Sequence, residues 1–174
     1  VSLLKKAFTH SSYANEKHIE KYDNNERLEF LGDAVLELVI SDFIYNAYPH
    51  MPEGELTKLR AGTVCEGSLA EKAREIHISE FIMLGKGEET TGGRNRDSIL
   101  ADAFEAVLAA VYLDGGIEPA TKIVLRFVKK ALEHVENAPF KDYKTLLQEI
   151  VQKNPEERLS YVLVAESGPD HDKR

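Results

Sequence analysis

Apolar residues recur at helical intervals from Val1 to about Val135, and the breaks between them are turn residues, with no sign of the two-residue alternation of strands. The longest periodic run, residues 27–48, carries Leu28, Leu31, Val35, Leu38, Val39 and Phe43 on one side and is closed by Pro49. Further helices are predicted over residues 56–64, 68–76, 99–113 and 119–134. A short apolar segment, 81–84, leads into residues 85–96, whose four glycines, Gly85, Gly87, Gly92 and Gly93, predict an irregular loop, because glycine is costly inside a helix. Asp97 or Ser98 is the expected N-cap of the helix that follows, and Asp114-Gly115-Gly116 its stop. These elements predict an all-α first domain over residues 1–138.

The pattern changes after Asn137-Ala138-Pro139, which reads as a linker. Residues 143–151 predict a short amphipathic helix, and residues 159–165 predict a strand, with Tyr161, Leu163 and Ala165 alternating against Val162 and Val164. A lone strand needs partners, and Arg174 is reached before one appears. Residues 142–174 are therefore expected to be the start of an α+β module, incomplete here.

With 174 residues, the chain can bury a core without disulfide staples. Its single cysteine, Cys65, falls in a helical stretch and is expected to be a packing residue, which leaves neither a disulfide framework nor a cysteine zinc site. No apolar run approaches the ~18 residues of a membrane span, and the N-terminal residues lack the apolar block of a secretory signal. A cytoplasmic protein with no membrane partner is expected. The net charge of -8 argues against a polyanionic partner unless the acids are gathered where they hold metal ions.

Their placement favours that exception. Glu26, Glu29 and Asp33 are three and four residues apart, which stacks three like charges on one helix face. Asp102 and Glu105, three apart, are the only charges between Ile99 and Leu113, in a helix apolar around most of its circumference. A solvated acidic stripe is the plain alternative and suits Glu37 and Asp42. It suits Asp102 and Glu105 poorly, since a carboxylate near an apolar core is costly unless a cation or donors neutralise it. Oxygen ligands gathered from two helices suit Mg²⁺, with Mn²⁺ able to substitute. None of the six histidines follows a glutamate by three positions, which excludes a di-iron carboxylate bundle, and no phosphate-binding glycine motif predicts a nucleotide cofactor. The histidines suggest surface or core roles. Lys86, Arg94 and Arg96 are placed to touch phosphates from the glycine-rich loop, or simply to decorate a mobile surface.

The run Asn25-Glu26-Arg27-Leu28-Glu29-Phe30-Leu31-Gly32-Asp33-Ala34-Val35 resembles the signature of the ribonuclease III family. The resemblance extends to Thr9-His10-Ser11-Ser12-Tyr13, to Glu53-Gly54 with Leu56-Thr57-Lys58-Leu59-Arg60, and to residues 98–106. It implies the all-α ribonuclease III endonuclease fold with metal ligands at Glu29, Asp33, Asp102 and Glu105. Asp33 and Glu105 would be central to catalysis, and Glu26 would support them near the scissile phosphate or a dimer seam. It also implies a homodimer in which Phe30 packs into the partner, and Gly32 fits close helix approach. The implied activity is Mg²⁺-dependent cleavage of double-stranded RNA to 5'-phosphate and 3'-hydroxyl ends, in processing of ribosomal RNA precursors and other structured transcripts. The C-terminal residues are similar to the start of an α-β-β-β-α double-stranded-RNA-binding domain, with RNA contacts implied at Thr145, Gln148, Glu149, Pro169 and His171. The later strands and the lysine-rich second helix of such a domain are missing from this stretch. A non-cleaving RNA-binding subunit and a different metal-dependent hydrolase are the rival readings; the presence of all four acids disfavours the first and the lack of a nucleotide pocket the second.

Overall fold

The computed structural model describes residues 2–20, 22–137 and Val151, with side chains through Val128 and at Val151. Packing divides the chain into two units, Val1–Asn137 and Ala138–Arg174. The RNA contacts implied at Thr145, Gln148, Glu149, Pro169 and His171, and the strand at 159–165, lie outside the described residues. Val151 is helical and half-buried.

The first unit is helical among its described residues: α1 (Ser2–Ala7), α2 (Ser11–Glu16), α3 (Glu26–Ala47), α4 (Glu53–Val64), α5 (Glu66–Glu75), α6 (Lys86–Thr90), α7 (Asp97–Gly115) and α8 (Ile117–Asn137). The helices predicted within the first domain are present, with ends displaced by a few residues, where capping rather than periodicity decides, and the one predicted over 143–151 lies, Val151 apart, outside the described residues. Among the described residues, extended pairing is limited to one parallel bridge between Thr9 and Met83.

The centre of the unit is α7. Its alanines Ala101, Ala103, Ala106, Ala109 and Ala110 are all buried, as are Leu100, Phe104 and Leu108, so it can be packed against on every side. The neighbours are α3, α5, α8 and α1. Leu36 and Ile40 of α3, Leu100 and Leu108 of α7 and Val124 of α8 are the largest side chains with almost no exposure. Each such side chain contributes about 1.5–3 kcal/mol on leaving water. Phe104 and Phe127 meet edge to face at 5.6 Å, joining α7 to α8.

Three local expectations are corrected. Residues 85–96 are not an irregular loop: α6 and a 3-10 turn, Gly93–Asn95, fold it into a compact arm. Arg94 holds the arm closed, donating to both carboxylate oxygens of Glu89, at 2.8 and 2.6 Å, and to the Ser79 carbonyl. Glycine costs less here than inside a long helix because these turns are short and tied by side chains at both ends. Second, α7 has Arg96 as its cap residue, without a side-chain cap; Asp97 begins the helix and pairs with Arg74 instead. Third, Cys65 is not packed in a helix. It is exposed at the break between α4 and α5, with an extended backbone at φ -64° and ψ 150°.

The N-terminal segment fastens the arm to the start of α3. The backbone N–H of Met83 donates to Phe8 at 2.8 Å, that of His10 to Met83 at 3.1 Å, and that of Asn25 to Thr9 at 2.9 Å. From α2, Ser12 Oγ accepts the Gly85 N–H at 3.0 Å and Glu16 Oε2 accepts the Lys86 N–H at 2.6 Å.

A candidate carboxylate metal centre

Two packed helices bring the acids together. In α3, the first two turns present Glu26, Glu29 and Asp33; in α7, Asp102 and Glu105 interrupt the buried apolar run. The helices touch at Gly32, where a Cβ would overlap the Glu105 carbonyl and stand 3.0 Å from its Cα. A missing side chain on α3 thus sets how near the two acidic faces come.

Glu26 and Asp33 are exposed, whereas Glu29, Asp102 and Glu105 are half-buried. Burial pushes the Glu105 carboxyl up to about 8, and Asp33, Glu29, Asp102 and Glu37 push the same way. Glu29 is raised by burial and then by Asp102, Glu26 and Asp33. Burial also raises Asp102, opposed by His10 and reinforced by Glu66. Asp33, Glu29 and Asp102 thus act on Glu105, and Asp102 and Asp33 on Glu29, and no cation figures among the charges acting on Glu105. Half-buried acids whose carboxyls are pushed up by burial and by one another are ones that a divalent cation would discharge, and hard oxygen donors fit Mg²⁺ or Mn²⁺. Among the described residues, no three His, Cys, Asp or Glu side chains already stand in a metal-holding cluster.

Three further residues border the site and were not expected there. Glu37, which the sequence assigns to a solvated stripe, acts on Glu105, and Glu66 and His10 act on Asp102. Their separation from the acids in sequence hides Glu66 and His10; for His10 the signal is the Thr9-His10-Ser11-Ser12-Tyr13 run. The arm supplies less free positive charge than its composition suggests. Arg94 is bound to Glu89, and Arg96 pairs with Glu88 at 2.7 Å.

Phe30 is 80% exposed, and Leu38 and Tyr45, eight and fifteen positions further along α3, are 62% and 71% exposed. At helical spacing these three share a face, an uncovered apolar stripe beside the acidic one. Among the described residues, no helix is long and apolar enough to cross a membrane.

Known proteins share this arrangement of sequence and fold. The family model for Ribonuclease-III-like proteins matches residues 1–132. Ribonuclease 3 of Listeria welshimeri is 51% identical over 173 residues, covering 99% of this chain and 76% of that protein. Ribonuclease 3 of Pelotomaculum thermopropionicum is 53% identical over 172 residues, covering 98% and 71%. Among solved structures, the nuclease domain of ribonuclease III from Campylobacter jejuni, described with flexibility in a region involved in dimer formation, superposes with a TM-score of 0.68 at 44% identity, over 74% of this chain and 85% of that one. Dicer from Pichia stipitis matches at a TM-score of 0.58 and 26% identity, over 99% and 76%.

Proposed function

The chain belongs to the ribonuclease III-like family, and from that premise we propose that it is a homodimeric endoribonuclease that cuts both strands of duplex RNA with Mg²⁺ as its cofactor. The observation that carries this reading is Glu105, a half-buried carboxyl raised to about 8 among Asp33, Glu29 and Asp102 in the middle of the core helix. Such a placement destabilises the metal-free fold and is explained by a cation-dependent task.

Glu29, Asp33, Asp102 and Glu105 would hold the ion, which when bound would supply an acidified water for attack and positive charge against the phosphodiester. Asp33 is exposed and so reaches the side from which a phosphate arrives, while Glu105 anchors the cluster from the core. Glu26, exposed one turn before Glu29, has a supporting role at the edge nearest the scissile phosphate or the subunit seam. Phe30 would bury its ring in a second copy. A two-fold pair of such sites matches the two antiparallel strands of a duplex. The products would carry 5'-phosphate and 3'-hydroxyl ends, and ribosomal RNA precursors and other structured transcripts in the cytoplasm are the substrates this reading favours. Residues 1–138 form the nuclease domain, and residues 142–174 begin a double-stranded-RNA-binding domain that adds contacts through Thr145, Gln148, Glu149, Pro169 and His171. No nucleotide cofactor enters this scheme.

The test is incubation of a long duplex RNA with the full chain, with and without Mg²⁺, followed by mapping of product ends. Metal-dependent cutting of both strands is expected. Cutting that persists in a chelator, or is confined to single strands, would overturn the reading.

A further inference from the structure

Most of the described arginines are already engaged. Arg60 donates to Ser41 Oγ at 3.0 Å, Arg74 pairs with Asp97, Arg94 with Glu89 and Arg96 with Glu88. Arg126 of α8 is exposed and, among the described residues, has no ion-pair partner. It lines a groove of 180 Å³ whose remaining wall is apolar: Ile76 at the end of α5, Phe104, Val107 and Leu108 of α7, and Ile123 and Phe127 of α8. Ile76 is 40% exposed, so the apolar wall reaches the surface. Lys122, one turn before Arg126, is exposed too and has no ion-pair partner among the described residues, which puts two cations on one face of α8. At helical spacing, Phe104, Val107 and Leu108 lie on the side of α7 away from Asp102 and Glu105, so an occupant of the groove would leave those carboxylates uncovered.

The geometry points to a docking site for an acidic peptide segment of a partner protein, which inserts one phenylalanine- or leucine-sized side chain into the groove and sets a carboxylate on Arg126. A space of about 150 Å³ walled by leucine, isoleucine and phenylalanine admits benzene, so the groove has room for one such side chain and not for several. A guanidinium takes a carboxylate through two parallel N–H donors, and an apolar anchor in a pocket beside an arginine is the usual make-up of a binding hot spot. Duplex RNA would use the two cations but keeps its bases stacked, which leaves the apolar wall unfilled. A peptide carrying both an acid and an apolar anchor uses the whole groove. This site goes beyond the metal-dependent reading and does not rest on it.

The probes are short, end-blocked, fluorescein-labelled peptides rich in Asp and Glu around one central Phe, with matched peptides that carry Ala for the Phe or Lys for the acids. Fluorescence anisotropy with the full chain gives their affinities, and thermal melting reports the fold. We expect the acidic Phe peptide to bind and each matched peptide to bind at least about tenfold more weakly. Arg126→Glu should melt like wild type, bind the acidic peptide about tenfold more weakly and bind the lysine peptide more tightly than wild type does. Ile76→Glu, which puts a like charge on the apolar wall, should weaken the acidic peptide as well. No binding of the acidic Phe peptide, or binding indifferent to both substitutions, overturns the inference. An equal loss of duplex RNA binding in Arg126→Glu also overturns it, since the groove would then belong to the RNA surface. Cleavage and metal binding do not enter these readouts, so failure here leaves the metal-centre reading standing.

Discussion

Gly32 and Glu105 meet backbone to backbone: the α-carbon of one faces the peptide carbonyl of the other with no room for a Cβ between them. The acids of α3 and α7 are thereby held at one separation by main-chain contact, which is stiffer than any arrangement of side chains. Gly32→Ala should push the helices apart. We expect a stability loss of about 1–3 kcal/mol, as for overpacking elsewhere, and a larger proportional fall in duplex cleavage than in duplex binding. Chemical denaturation and parallel binding and cleavage assays measure both.

Glu105→Gln keeps the shape and removes the charge. Metal-dependent cleavage should be abolished with RNA binding nearly intact. The same change should raise the melting temperature of the metal-free chain above pH 8, where wild-type Glu105 ionises among Asp33, Glu29 and Asp102, and leave it almost unchanged at pH 5. A variant that cuts duplex RNA in Mg²⁺ would remove Glu105 from the chemistry.

The stability of the metal-free protein should fall as pH rises. For Glu105 the folded value of about 8 lies above the ordinary 4.5, so below pH 4.5 it is protonated whether folded or not and carries no penalty. Between pH 4.5 and about 8 the unfolded chain loses this proton and the folded chain keeps it, so unfolding is favoured progressively. Burial and neighbouring acids raise Glu29 and Asp102 as well, adding in the same direction. Glu16 and Glu89 are lowered, through the Lys86 N–H and Arg94 respectively, and titrate below this window. Melting curves across pH 5–9 should show the decline and its reversal by Mg²⁺; a flat profile would contradict the electrostatics.

Phe30→Ala should weaken self-association. An 80% exposed phenyl ring flanked by Leu38 and Tyr45 on the same face is an apolar patch that a second copy would cover. Sedimentation equilibrium should find wild type as a dimer and the variant shifted toward monomer, with cleavage lost in proportion to dimer.

Arg94→Ala should open the arm. Glu89 and the Ser79 carbonyl both lose their donor, so trypsin should cut at Lys86 and Arg96 sooner than in wild type, while the melting temperature changes little because these contacts are on the surface.

The two site-bearing helices were legible in the sequence because their signals are strong and local. In α7 an unbroken apolar run makes two charges conspicuous, and in α3 three acids recur at helical spacing. The arm was not legible. Its fold depends on bonds to Ser12 and Glu16, some seventy positions away, and composition shows only glycines. Asp97 looked like a cap, but Arg74 competes for its carboxylate. His10 and Glu66 escaped for the same reason: their charge effect on Asp102 depends on tertiary packing that no periodicity encodes.

The corner between α4 and α5 has a practical use. Cys65 is the only cysteine in the sequence and is exposed there, next to Glu66 at the border of the site. One maleimide dye per chain would therefore go on at a known point, and energy transfer between a donor-labelled and an acceptor-labelled copy could follow pairing of subunits in real time.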